Sequence, residues 1–139
     1  MRHTIFLFGE AEKGDFCAPK HCKSLTQLVE TFGHPPKESK GILYAVQAIL
    51  YERELIYFRV KEEGFSLHDY MRGLRMLSTP EIPLTLSAIC MPGVGDASII
   101  DASQAICQVH KSCLIIDEHD LYDYLTFHTP KQAQGDKIN

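Results

Sequence analysis

The feature that most constrains this chain is an alternation. Four short apolar runs, His3–Phe8 (HTIFLF), Leu55–Val60 (LIYFRV), Leu84–Cys90 (LTLSAIC) and Cys113–Asp117 (CLIID), are separated by stretches of helical periodicity. A strand that is apolar on both sides needs cover on both faces, and helices that connect parallel neighbours supply it. The expected fold class is therefore α/β: a layered domain with a mostly parallel sheet of about four strands flanked by helices. With 139 residues the chain fits one domain. That domain is expected over residues 1–128, with 129–139 as a flexible polar tail.

The helices carry start and stop signals. Ser24 and Gln27 form a capping box, and Leu25, Leu28, Val29 and Phe32 follow at i, i+3, i+4 and i+7. Gly33 and then Pro35–Pro36 end that helix. A second helix is expected from about Lys40 to Arg53, with Ile42, Ala45, Val46, Ile49 and Leu50 as its apolar stripe. Ser66 and Asp69 repeat the capping pattern before Leu67, Tyr70, Met71, Leu74 and Leu77. Asp96 caps a helix reaching about Lys111, and Asp120 caps a last one ending near Phe127. Gly14, in the GEAEKG turn, is free to take positive φ, and TPEIP interrupts the chain before the third strand.

Bulk properties exclude some classes. No apolar run approaches the ~18–20 residues that cross a bilayer. The N-terminal apolar stretch is too short and too soon followed by acids for a signal peptide, which points to a cytoplasmic protein. Five cysteines cannot all pair internally, which favours free thiols over a disulfide framework. A net charge of −4 argues against nucleic acid as a partner. The charge is uneven: from Glu81 to Asp123 acids dominate and Lys111 is the sole base. That asymmetry suits either a solvated acidic face or head-to-tail contact between copies.

The chemical candidates are weak when read from spacing. Cys17, His21, Cys22 and His34 have zinc-ligating side chains, but the second closely spaced pair of the common zinc frameworks is missing. Cys107, His110 and Cys113 are evenly spaced, yet Cys113 opens a strand while the other two lie on a helix. MPGVGD sits between a strand and a helix, where α/β proteins bind phosphate, but it lacks both the Gly-x-Gly-x-x-Gly and the Gly-Lys-Ser/Thr patterns. DEHD, Asp117–Asp120, falls at the carboxyl end of the fourth strand, on the rim where open sheets place ligands. Carboxylates there could hold Mg²⁺ or transfer protons, or could simply end the strand and cap the helix. No nucleophile elbow or Cys/His catalytic spacing is present. Gly93, Gly95, Asp96, Asp117 and His119 make up the alternative ligand rim. No catalytic residue, metal ligand or cofactor is otherwise expected.

The order of landmarks carries a resemblance. An apolar strand runs into GEAEKG, and an SL helix closes on FG (Ser24, Leu25, Phe32, Gly33). ILYAVQAILYE, with Tyr44, Ala45 and Val46, feeds IYFRV with Arg59 and Val60. MPG (Met91, Pro92, Gly93), a helix bearing a cysteine, and LIID follow. Over about residues 3–120 this resembles the central domain of contractile tail sheath proteins, from phage tails and related injection devices. The resemblance implies a non-enzymatic assembly protein whose partners are further copies or a larger sheath-like protein. It also implies that the opening GEAEKG is a plain turn and that the thiols are incidental. Sheath subunits usually carry an N-terminal arm and a larger C-terminal portion, which add strands to neighbouring subunits. This chain starts almost at the first strand and ends soon after LIID, so the resemblance covers the core domain only.

Overall fold

The computed structural model describes residues 3–79 and 85–127. The expected tail, the Pro80–Pro83 interruption and Leu84 lie outside them. Each of the four predicted runs is a strand: β1 (Thr4–Gly9), β3 (Glu54–Arg59), β4 (Leu86–Cys90) and β5 (Cys113–Ile115). A fifth strand, β2 (Lys20–Cys22), was not expected. The helices are α1 (Leu25–Phe32), α2 (Gly41–Leu50), α3 (Leu67–Leu77), α4 (Ala97–His110) and α5 (Glu118–Phe127).

The sheet order is β2-β3-β1-β4-β5, parallel throughout except for β2, which pairs antiparallel with β3. β1 is central and buried at all six positions, so both of its faces are core. Ile5 and Leu7 face α1, α2 and α5, whereas Phe6 and Phe8 face α3 and α4. On the second face Phe6, Phe8, Phe58 and Tyr70 stack and tilt together, with ring centroids 5.1–5.6 Å apart. The α/β layered class expected from the alternation is therefore the observed one, with five strands in place of about four.

Local signals are confirmed at several ends. Ser24 Oγ accepts from the Gln27 amide at 3.1 Å, and the Gln27 side chain reaches back to Lys23 N–H, one residue before the cap. Asp96 Oδ1 accepts from Ser98 and Ile99 N–H. Gly14 and Gly33 both have positive φ.

Other expectations are corrected. Ser66 does not cap α3: its hydroxyl exchanges hydrogen bonds with the Glu62 backbone, while Asp69 turns away to accept from Lys61 N–H and Cys17 Sγ. The cap of α5 is Asp117, which accepts from Asp120 N–H at 2.8 Å, not Asp120. Leu25 and Val29 are exposed on α1, where Leu28 and Phe32 alone are buried. On α2 the buried positions are Gly41, Ile42, Tyr44, Ala45 and Ala48, and Leu50 is 58% exposed. That helix is apolar nearly all round, so its sequence pattern cannot say which side goes inward.

Candidate functional site

Parallel strands deliver their carboxyl ends to one rim, and the strand order reverses there between β1 and β4. α2, after β1, covers one face, and α4, after β4, covers the other. Open α/β sheets bind ligands in the crevice at such a switch point, with anions at a helix N-terminus.

Here the crevice is closed by the chain itself. Glu63, in the loop after β3, directs its carboxylate at the start of α2. Oε1 accepts from Glu10 N–H, Ser39 Oγ and Gly41 N–H, each at 3.0 Å, and Oε2 accepts from Lys40 N–H at 2.6 Å. The Glu63 amide in turn donates to Glu10 Oε2 at 2.8 Å. The carboxylate therefore takes the free N–H groups and the positive end of the helix dipole that a bound anion would use. Tyr57, fully buried, donates its hydroxyl to Glu10 O at 2.7 Å and fixes the turn after β1 from beneath. Gly64, at φ +89°, donates to Tyr70 Oη at 2.6 Å and packs on the turn after β4. A Cβ at Gly64 would lie 2.7 Å from the Gly93 carbonyl oxygen. The β3–α3 loop thus lies across the ends of both strands that flank the switch point.

The predicted rim residues fall on the neighbouring strand ends. Gly93 N–H donates to Ile116 O at 3.2 Å, which draws MPGVG against the start of DEHD. Gly93 has positive φ, and Gly95 faces open space. The side chains are already engaged: Asp96 caps α4, Asp117 caps α5, and His119 Nδ1 lies 3.5 Å from Asp123 Oδ2. Among the described residues, Asp117, His119 and Asp120 are the one group of metal-ligating types with ligand atoms within 4.8 Å of one another. Asp120 Oδ2 also accepts from Ile116 N–H, so the cluster reads first as helix-start geometry.

The sequence-based zinc sets do not assemble. Cys22 is buried while its neighbour His21 turns outward to Glu54 Oε1 at 3.3 Å. Cys17 is held by Asp69. His110 bonds Leu77 O from the end of α4, and Cys113 is already in β5. All five thiols are free. Burial raises Cys22 and Cys113 to about 11, and it raises Cys17, Cys90 and Cys107 as well. A thiol so shifted is a poor nucleophile at neutral pH. Burial also acts to raise the Asp69 carboxyl, yet hydrogen bonds from Lys61 N–H and Cys17 hold it below its ordinary value.

The open feature lies on the α1/α2/α5 face. Between α2 and α5 runs a groove of about 580 Å³, floored by Val46, Leu121 and Leu125. Leu43 and Tyr122 on its walls are 47% and 61% exposed. At the strand-end mouth stand Lys40, Glu118 and His119. Compared with protein-family models, curated proteins and solved structures, the chain matches none. The groove is therefore judged on its own chemistry: apolar along its length and charged at one end.

Sequence reading missed both halves of this picture. Glu63 sits in an ordinary KEEG loop, and only the fold brings it to residues more than twenty positions away. The groove had one legible signal, a ten-residue helix with too many apolar positions for a single buried face.

Proposed function

We propose that this is a non-catalytic assembly domain of the tail-sheath core type, acting through protein–protein contacts and not through a bound substrate. The observation that carries the reading is the closed switch point. The place where a doubly wound sheet would take a nucleotide or phosphate holds the Glu63 carboxylate with four donors on it. The open apolar groove on α2 and α5 fits the same reading, because exposed apolar surface marks a contact site for another molecule, a protein among the candidates. The sheath-like order of landmarks supplies the type.

The test is a thermal-shift screen with nucleotides and divalent cations, run beside light scattering over a wide concentration range. The expected result is no shift with any of these compounds and a mass that rises with concentration. A shift of several degrees that Asp117→Asn abolishes would overturn the reading. It would favour a second one, a cation or nucleotide site on the rim of Gly93, Gly95, Asp96, Asp117 and His119, for which the Asp117/His119/Asp120 cluster is the supporting geometry.

A further inference from the structure

Two apolar patches lie on opposite faces of the sheet, one bordered mainly by acids, with Lys40 and His119 among them at the groove mouth, and the other by bases. On the α1/α2/α5 face the groove runs beside α5, whose Glu118 and Asp123 are exposed, with Asp117 just ahead of them. On the other face α3 presents His68, Arg72 and Arg75 to solvent, and its one acid, Asp69, is buried. Beside these bases stand Leu67, 45% exposed, and Phe65, 78% exposed. Among the described residues, Arg72, Arg75 and Glu118 take part in no ion pair.

We propose that the α2/α5 groove docks the α3 face of a second copy of this chain, head to tail. The proposal rests on the assembly reading above and names its partner. The apolar side chains Phe65 and Leu67 match the groove floor, and Arg72 and Arg75 match the acids of α5. A symmetric contact of groove on groove is disfavoured, because it would set Glu118 and Asp123 of one copy against the same acids of the other. α3 on α3 meets the same objection with bases. The heterologous arrangement sets the bases of α3 against the acids of α5. Because the donor and acceptor faces lie on opposite sides of one sheet, each copy can engage two others. Repetition then gives a ring if the rotation closes and a filament if it does not.

The experiment uses the full chain and two charge reversals, Arg72→Glu/Arg75→Glu on α3 and Glu118→Lys/Asp123→Lys on α5, each checked for a native circular dichroism spectrum. Light scattering in low salt should show the wild type growing with concentration and weakening as salt is raised. Each variant alone should associate at least about tenfold more weakly, since two contacts of like sign replace attraction. The two variants mixed should associate again, because the acidic α3 of the first meets the basic α5 side of the second, and the unchanged α3 of the second meets the unchanged α5 side of the first, so that copies alternate along one assembly. Restored association in the fourfold variant, which exchanges both charges, confirms the pairing. If the wild type associates and neither reversal weakens it, this interface is overturned while the assembly reading stands. If the wild type stays monomeric at every concentration, the interface is again overturned, and the assembly reading then depends on the ligand screen alone.

Discussion

The strand-end rim and the α2/α5 groove lie on the same helix and behave in opposite ways. At its N-terminus α2 is tied by three hydrogen bonds to the Glu63 carboxylate, which a fourth links to the turn after β1 at Glu10 N–H. Within that same first turn, its outer side leaves Leu43 47% exposed among the described residues. The first region is polar and satisfied, and the second is apolar and uncovered. Open α/β domains that work on small molecules reverse this pattern, keeping the rim open and the helix faces solvated. The contrast teaches that the chain closes the end where chemistry would occur and leaves an apolar groove open on a flank.

The largest test of the contrast is Glu63→Ala. It leaves three backbone N–H groups and the Ser39 hydroxyl without their acceptor, and it should cost about 3 kcal/mol in urea unfolding. A loss under about 1 kcal/mol would mean the rim is not held by this residue, and the comparison would fail. Gly64→Ala comes next. The new Cβ meets the Gly93 carbonyl at a backbone angle of φ +89° that suits glycine, and about 2 kcal/mol should be lost.

Tyr57→Phe is smaller. It removes one buried hydroxyl from Glu10 O and should cost about 1 kcal/mol, which separates the support beneath the rim from the carboxylate on top. Smallest of all, Tyr122→Ser should change stability by no more than about 0.5 kcal/mol, while weakening self-association measured by light scattering. Equal stability losses from Tyr122→Ser and Tyr57→Phe would erase the distinction between the two regions.

The pH dependence tests the interior that both regions share. Cys22 and Cys113 have folded values near 11 against an ordinary 9.0. Their folded values are raised, so the stability they contribute is complete below pH 9.0 and is lost as pH rises toward about 11. Urea midpoints should fall over that interval, and a double Cys22→Ala/Cys113→Ala variant should show a shallower fall. Asp69 has the reverse sign: its lowered value gives stability above the ordinary carboxylate range that is lost on acidification.

Much of the fold was legible because it rests on local pattern. β-rich runs such as LIYFRV need cover on both faces wherever they occur, and Ser24 and Asp96 cap within three residues of themselves. β2 was not legible: KHC is three residues of mixed polarity and becomes a strand only because the edge of β3 is there to pair with it. Ser66–Asp69 matched a capping pattern, but the buried Asp69 gains more from Lys61 N–H and Cys17 than from the helix start. Asp117 and Asp120 compete for one cap, and the chain leaves β5 two residues earlier than the apolar run suggests. The candidate site was least legible, because Glu63 acts across 53 residues to Glu10 and because nothing in an all-apolar helix marks which side stays uncovered.

The thiols give the fold a set of internal clocks. Cys22 lies on the β2 edge of the sheet, Cys113 on the β5 edge, and Cys90 near the middle. A labelling reagent reaches each only when its own part of the sheet opens. Alkylation followed by mass spectrometry therefore times the two margins separately from the centre. Cys113, which is only partly buried, should react first and Cys90 last.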